Sequence, residues 1–307
     1  MKRREVLLSH DLCSNCGICM ATKSLDLCPQ VNIPDELYES DPLGQPRAIV
    51  LAQSRMKELL ERAQDGGTVT TLAYVALDSN IVKYVLGCRL GKGEVVSLPE
   101  VVERPEDVVK ICGSKYTYTP VLAALSRVDV SKGVCVTGVP CQIRATKLFE
   151  EKHNANLLKI GILCSSNFKR ELILNILKSS GKRVEDIARM EVKRKFRVLF
   201  RDGNIVEISM SEAKKYTCNC CRQCPELVPR LSDIAVGSMF LPEKWNIVFV
   251  YSRRGEELID MAVKRGLLEV KDAPQEVVSK IRDFALRKQR ESRKFREEFL
   301  RVIGEIR

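Results

Sequence analysis

Cysteine is the residue that most constrains this chain, because 13 of its 307 residues are cysteines. In DLCSNCGICM, Cys13, Cys16 and Cys19 follow a C-x2-C-x2-C spacing, and Cys28 precedes a proline. This spacing lets successive thiolates wrap one [4Fe–4S] cluster, as in bacterial ferredoxins, although the last gap is longer here. A four-cysteine zinc site also uses C-x2-C pairs and is the alternative. The run of three cysteines and the Cys-Pro pair favour iron–sulfur, so we predict a cluster at these four residues.

A second group of cysteines is dispersed along the chain and consists of Cys141, Cys164, Cys221 and Cys224. Cys141 and Cys164 each end a predicted buried strand, where the loops of an α/β sheet converge to build sites. The C-x2-C pair at Cys221 and Cys224 could complete a tetrahedral set. Buried free cysteines also behave as small apolar side chains. The pattern alone therefore leaves open both a second cluster and ordinary core packing.

The other five cysteines have no ligand spacing of this kind. Cys88, Cys112 and Cys135 lie in apolar stretches and are expected in the core, whereas Cys218 and Cys220 are either reserve ligands or incidental. The N-terminal apolar run VLL is too short for a signal peptide. No stretch approaches the ~18 apolar residues of a membrane helix. We therefore expect a cytoplasmic protein, which reaches a membrane only through a partner and whose cysteines serve metal or redox chemistry.

The net charge of +11 first suggests a nucleic-acid partner. Bound cofactors count in this balance, because each [4Fe–4S] centre with four thiolates carries about −2 and a flavin dinucleotide about −2 more. The loaded protein would then be only modestly basic, and no nucleic acid is expected as its partner. The remaining positive charge is concentrated near the end of the chain.

The order of predicted elements indicates an α/β fold. Apolar strands are predicted at 81–87, 133–140 and 157–165, with helices at 55–63 and from 68, 141 and 169 onward. A hairpin is predicted around Asp202-Gly203, followed by two strands, an amphipathic helix and one long basic helix from Pro274. We divide the chain into an N-terminal ferredoxin-like segment with its linker (1–48), a flavin-binding core with a central mixed sheet (49–270) and a C-terminal helix (271–307).

From about Gln64 to Leu268 the chain resembles the beta subunit family of coenzyme F420-dependent hydrogenases and dehydrogenases. Several motifs in the same order carry the similarity: QDGGTVTTLAYVAL, GSKYTYTPVLAAL, GVPCQIRA, KIGILCSSNF, CRQCPELVPRLSDIAVGS and WNIVFVYSRRGEEL. The resemblance implies FAD, hydride exchange with coenzyme F420, and a [4Fe–4S] cluster held by Cys141, Cys164, Cys221 and Cys224. It also implies that the cysteines at 13–28 form the extra N-terminal module of many members. After Cys224 this chain has Pro-Glu-Leu where the family usually has an Asp-Phe pair.

The resemblance places a flavin site at QDGGT and GSKYT, and the residue types suit one. Gly66 and Gly67 allow the backbone to approach a phosphate or ring, Thr68 is expected to cap the next helix, and a helix N-terminus attracts a pyrophosphate. Lys115 is expected to offer a cation. From the motifs alone a helix break and a solvated lysine are the alternatives, and the G-x-G-x-x-G fingerprint is absent. The expected flavin-binding residues are Gln64, Asp65, Gly66, Gly67, Thr68, Ser114, Lys115, Tyr116, Thr117, Gly138 and Pro140.

The expected cofactors fit one function. A hydride donor gives two electrons at once and a cluster accepts one, so a flavin couples the two and no catalytic side chain is expected. We expect a subunit that exchanges hydride between coenzyme F420 and FAD. Single electrons would pass through two [4Fe–4S] clusters to a catalytic dehydrogenase or hydrogenase subunit, or to ferredoxin. One alternative is a ferredoxin-fed reductase of another organic substrate, and another is a zinc-stabilised nucleic-acid-binding protein that uses the basic C-terminal helix.

Overall fold

The computed structural model describes residues 11–242 and 244–305. Its strands form an eight-stranded mixed sheet, in the order β11-β1-β10-β9-β5-β4-β2-β3, and a three-stranded sheet, β6-β7-β8. The strands are β1 Ala48–Ser54, β2 Tyr84–Leu90, β3 Ser97–Val102, β4 Val134–Gly138, β5 Leu158–Ile162, β6 Ile187–Val192, β7 Lys195–Phe200, β8 Ile205–Ser209, β9 Ile234–Gly237, β10 Asn246–Val250 and β11 Leu268–Asp272. The expected α/β fold with a large mixed sheet is confirmed.

The middle of the large sheet is parallel. Strands β2, β4, β5 and β9 pair in parallel, whereas β3 on one side and β10, β1 and β11 on the other are antiparallel to their neighbours. Strand β4 is buried along its whole length, as expected for a parallel strand that is covered on both faces. Because parallel strands end at the same edge, the segments that follow β4, β5 and β9 emerge side by side.

The helices cover the two faces of this sheet. They are α1 Ile18–Thr22, α2 Lys57–Arg62, α3 Thr68–Asp78, α4 Pro140–His153, α5 Arg170–Ser180, α6 Met210–Lys214, α7 Asn219–Arg222, α8 Arg253–Lys264 and α9 Gln275–Glu305, with short 3-10 turns between several of them. Helices α3 and α8 share one apolar cluster with the sheet, whereas α9 packs Val278, Ile281 and Ala285 into another. The C-terminal helix is therefore part of the folded core along its first half.

Two smaller units adjoin the large sheet. The N-terminal cysteine unit shares an apolar cluster with strands β2 and β4, into which Cys16, Ile18 and Leu27 are packed. The three-stranded sheet and helix α5 form a separate core in which Phe168, Phe196 and other large side chains are buried. Both units lie beside segments that carry expected site residues.

Most predicted elements are present, and the differences have a simple pattern. The strand expected at 81–87 begins at Tyr84, and strands β1, β3, β6 and β11 were not predicted because they are half-exposed or end in charged residues. Within the described ranges, no helix combines the length and apolar composition that a membrane span requires. The expectation about the N-terminal segment falls on residues 1–10, which lie outside the described residues.

Candidate functional site

The four dispersed cysteines meet at the carboxyl edge of the parallel strands. Cys141 lies in the first turn of α4, immediately beyond β4, and Cys164 follows β5. Cys221 and Cys224 come from α7 and the residues after it. All four line one small cavity, and the other three act on the pKa of Cys141. The fold therefore brings together the four residues that the resemblance had singled out.

Hydrogen bonds hold the loops that carry these cysteines. The backbone N–H of Cys164 donates to the carbonyl of Leu227 at 2.9 Å. The hydroxyl of Tyr118 lies 3.3 Å from the Sγ of Cys221 and accepts from the N–H of Cys218 at 3.0 Å. Cys164 is thereby fixed through its own backbone and Cys221 through its neighbour Tyr118, so the protein itself sets the geometry of the cavity.

The four N-terminal cysteines form a second set, which lies beside the first. Charges on Cys13, Cys19 and Cys28 all act on Cys16, so the four thiols are close together. Gly17 has φ +91°, and an added Cβ would lie 2.7 Å from the carbonyl oxygen of Pro120. Only glycine fits there, because a side chain would meet both backbone strain and this close approach.

The two cysteine sets are neighbours in space. Ser14 and Gln30, which flank the N-terminal cysteines in the sequence, line the cavity of the dispersed set. Cys16 is also among the charges that act on Cys141. The fold thus places the two cysteine sets side by side.

A buried ion pair joins the two sets. Arg144, one turn beyond Cys141 on α4, pairs with Glu226, and their side chains are only 2% and 3% exposed. The other end of the Arg144 guanidinium donates to the carbonyl of Pro29 at 2.8 Å, next to Cys28. The Nε of Arg144 is buried without a hydrogen-bond partner in the described part of the chain. A buried cation with a spare donor suits a site that binds a negatively charged group.

Burial dominates the thiol chemistry. Loss of solvent raises the pKa of both Cys16 and Cys164 to about 12, and it raises the pKa of Cys141 well above its ordinary value. Burial lowers the pKa of Lys288, but the nearby Cys224, Cys164, Cys221 and Glu226, when ionised, together raise it by more. Alone, the thiols of Cys16, Cys141 and Cys164 stay protonated, and a strongly cationic centre would be needed to hold them as thiolates.

The extra cysteines lie at the edge of the same cavity. Cys218 and Cys220 are joined by a disulfide, and Cys220 lines the cavity together with the four dispersed cysteines. The Sγ atoms of Cys218, Cys220 and Cys221 lie within 4.8 Å of one another. Because a disulfide sulfur is not a thiolate, this close group offers a metal ion only the thiol of Cys221.

The first group of expected flavin residues comes together with Tyr116. The Tyr116 hydroxyl donates to Oε1 of Gln64 at 2.5 Å, and Nε2 of Gln64 donates to Asp65 at 3.1 Å. Burial raises the pKa of Asp65, which also bonds to Ser238 just after β9. A buried cluster of hydrogen-bonded polar side chains therefore lies where the large sheet meets the three-stranded sheet.

The glycines of QDGGT serve the turn into helix α3. Gly67 precedes the helix with φ +68°, and a Cβ on Gly66 would lie 2.6 Å from Oδ1 of Asn246. The expectation that Thr68 caps this helix is wrong. Its hydroxyl donates to the carbonyl of Ala52, and Oδ1 of Asn246 instead accepts the N–H of Thr68 at 3.2 Å. The side chain of Thr68 points into the sheet because strand β1 lies directly beneath it.

The second group lies on the loop before the core cavity. Nζ of Lys115 donates to three backbone carbonyls, those of Ile111, Cys112 and Gly113, at 2.7 to 3.0 Å. Its three donors are thus used in shaping the loop. Ser114 bonds to Tyr116, and the hydroxyl of Thr117 bonds to Ser97 at 2.5 Å. Gly138 and Pro140 lie at the end of β4 and the start of α4, directly before Cys141.

A larger, more open cleft adjoins these residues. It has a volume of about 380 Å³, which is within the range of small-molecule sites. It borders the N-terminal cysteines through Asn15, the expected flavin group through Thr117, and the core cysteines through Tyr118. The cleft therefore gives a ligand access to all three regions.

Several residues of the site were missed from the sequence. Arg144, Glu226 and Lys288 approach the core cysteines from three separate elements, and no spacing pattern connects them. Tyr118, Arg144 and Glu226 lie in the quoted motifs, so their positions near the cysteines could have been suspected. Lys288 lies outside every quoted motif, and its position required knowledge of which elements are neighbours.

A mixed α/β core with two adjacent cysteine sets is the architecture of an oxidoreductase subunit. The family description "Coenzyme F420 hydrogenase/dehydrogenase, beta subunit N-term" matches residues 49–126, and the corresponding C-terminal description matches residues 131–276. One subunit of the F(420)H(2) dehydrogenase of Methanosarcina mazei is 31% identical, over 90% of this chain and 89% of that protein. The chain belongs to the coenzyme F420 hydrogenase/dehydrogenase beta subunit family, as the sequence motifs had indicated.

Two further comparisons agree with this assignment. The beta subunit of the coenzyme F420 hydrogenase of Methanococcus voltae is 28% identical over 75% of this chain and 86% of that protein. A chain of the F420-reducing [NiFe] hydrogenase complex from Methanosarcina barkeri superimposes with a TM-score of 0.78 at 28% identity, covering 84% of this chain and 94% of that one. The similarity thus holds in structure as well as in sequence.

Proposed function

We propose that this chain is the electron-transfer subunit of an F420-linked hydrogenase or dehydrogenase. It exchanges hydride with coenzyme F420 and passes single electrons to a catalytic partner subunit. The observation that carries the proposal is the meeting of four cysteines from distant segments in one cavity, directly beside a second set of four. The names of the relatives support the coenzyme and the partner.

The donor set fits two [4Fe–4S] clusters. Cys141, Cys164, Cys221 and Cys224 would hold one, and the N-terminal cysteines the other. Lys288 and Arg144 offset part of the negative charge that thiolates bring into a buried cavity. Burial also excludes water and tunes the potential of such a centre.

The residues around Tyr116 fit a flavin. FAD would supply the coupling between two-electron and one-electron chemistry. Gln64, Asp65 and Tyr116 would orient its polar edge, and Lys115 would keep the 111–115 loop in place. Thr117 and Tyr118 border the 380 Å³ cleft, which would receive the ring system. Gly138 and Pro140, just before Cys141 in the chain, would lie between the flavin and the core cluster.

Anaerobic purification with quantification of iron, sulfide and flavin tests the proposal. We expect about eight irons and eight sulfides per chain, from two four-iron clusters, and about one flavin. Cys141→Ala should lose about four irons, the content of one such cluster, and uncouple flavin reduction from electron exit. Cys135→Ala, a buried cysteine on the preceding strand, should keep all of them and serves as the matched control. Unchanged iron in Cys141→Ala would refute the ligand assignment.

Titration with reduced coenzyme F420 separates the two enzyme functions. Rapid bleaching of the flavin is expected if the coenzyme is the hydride donor. Bleaching only with reduced ferredoxin would instead support the reductase of another substrate. Colourless protein with zinc would support the nucleic-acid-binding alternative, although Arg282, Arg293 and Arg296 of its basic helix form ion pairs with Asp41, Glu39 and Asp35.

A further inference from the structure

The C-terminal helix α9 carries one basic residue that faces the protein interior. The match to the family ends at residue 276, and α9 runs from Gln275 to Glu305, so nearly all of it lies beyond the matched region. Its basic residues suggest a solvated face. One of them, Lys288, instead turns inward and lines the same cavity as the four core cysteines.

Nζ of Lys288 is fixed by the loops that carry these cysteines. It donates to the carbonyl of Cys164 and to the carbonyl of Glu226, both at 2.7 Å. A lysine ammonium has three N–H donors, and no other hydrogen bond of Nζ is found among the described residues. One donor is thus left for whatever occupies the cavity.

Two neighbouring residues of α9 also form hydrogen bonds with the core and so hold the Lys288 ammonium beside the cavity. Ser292, one turn further along α9, donates to the carbonyl of Cys224 at 2.8 Å. The amide of Gln289 donates to the carbonyls of Leu37 and Ser40 at 2.9 and 3.0 Å. The helix is therefore hydrogen-bonded to the protein core around Lys288. These bonds fix the position of the positively charged Lys288 ammonium.

We propose that Lys288 is a positioning residue that raises the reduction potential of the cluster held by Cys141, Cys164, Cys221 and Cys224. The inference rests on the proposed function, since it needs that cluster. Reduction adds one negative charge to the cluster, and a fixed cation at the wall of the same cavity, in a poorly polarisable interior, stabilises that charge. Charge and hydrogen bonds to sulfur are established determinants of cluster potential.

The test is an anaerobic redox titration of the complete protein, followed by electron paramagnetic resonance. Lys288→Gln keeps two N–H donors for the two carbonyls and removes the charge. We expect the core cluster of this variant to become at least about tenfold harder to reduce, which is about 59 mV for a one-electron couple. The N-terminal cluster should shift less, and Cys13→Ala, which removes it, assigns the two signals.

Two further variants separate charge from structure. Lys288→Arg keeps the charge and should restore most of the potential. Lys294→Gln, on the same helix with a side chain that is 79% exposed, should leave both potentials unchanged. An unchanged core potential in Lys288→Gln, with full iron content, would overturn this inference and leave the proposed function intact.

Loss of core iron in both Lys288→Gln and Lys288→Arg would also overturn it, because Lys288 would then be a structural support. Wild-type protein without a core cluster would overturn both the inference and the proposed function.

Discussion

The two cysteine sets reach the same kind of ligand shell by different routes. The N-terminal set lies between residues 13 and 28 and depends on a tight local turn at Gly17. The core set comes from three segments between residues 141 and 224. The parallel pairing of β4 and β5 brings Cys141 and Cys164 together, and the hydrogen bond from Cys164 to Leu227 ties in the segment after Cys224. A contiguous site depends on local geometry, whereas a dispersed site depends on the whole sheet.

The two sets also differ in their surroundings. Each set has one buried cysteine, Cys16 or Cys224, but the N-terminal set also includes the exposed Cys13. Burial, a backbone hydrogen bond from Ile18 and the other thiols set the pKa of Cys16, whereas the pKa of Cys164 is also lowered by the cation of Lys288. The cation of Lys288 thus belongs to the surroundings of the core set, whose cavity it lines. Mutations should expose this difference.

The largest contrast is expected between Cys164→Ala and Cys13→Ala. The first should remove the core cluster and stop electron delivery to any acceptor, while reduced coenzyme F420 still bleaches the flavin. The second should remove only the N-terminal cluster and leave the core signal. Iron content and acceptor reduction rates measure both. Loss of all iron in Cys13→Ala would show that the two sets fold as one unit.

Arg144→Met should destabilise the protein by about 3–5 kcal/mol, because it leaves Glu226 buried without its partner. The double variant Arg144→Met/Glu226→Gln should recover most of this loss. Guanidinium unfolding of the iron-loaded protein, followed by circular dichroism, gives the free energies of unfolding. Equal stability of the single and double variants would mean that the unpaired Glu226 carries no penalty, which would contradict this account of the ion pair.

Gly17→Ala should weaken the N-terminal set alone. Gly203 has a similar φ of +88° but nothing within 4 Å of an added Cβ, so Gly203→Ala is the matched control. The control carries only the left-handed backbone penalty of about 1–2 kcal/mol. Gly17→Ala should cost more and lose N-terminal iron, because its Cβ meets the backbone of Pro120 and Ala123. Equal effects of the two substitutions would contradict this account.

The smallest effect is expected at the extra cysteines beside the dispersed set. Cys220→Ser should leave the iron content unchanged, because Cys221 and Cys224 complete the set without it. Cys221→Ser on the adjacent residue is the comparison and should lower the iron content. Iron loss in Cys220→Ser as large as in Cys221→Ser would make Cys220 a ligand and revise the assignment.

Sequence reasoning succeeded where chemistry is local. The apolar runs at β4 and β5, the Asp-Gly hairpin and the long terminal helix were all predicted. It was wrong about Thr68, since the helix cap comes from Asn246, which is distant in the sequence. It also missed strands such as β1, whose role depends on the neighbours β10 and β11.

The amino-acid order by itself determined the N-terminal cysteine spacing, the strand–helix alternation and the family motifs, because each depends on residues a few positions apart. Only the tertiary structure decided that Arg144 joins the two cysteine sets and that Lys288 faces the core cavity. Those contacts arise from parallel strands ending at one edge and a terminal helix packing across it. Burial and charge pairing between distant segments cannot be inferred from spacing alone.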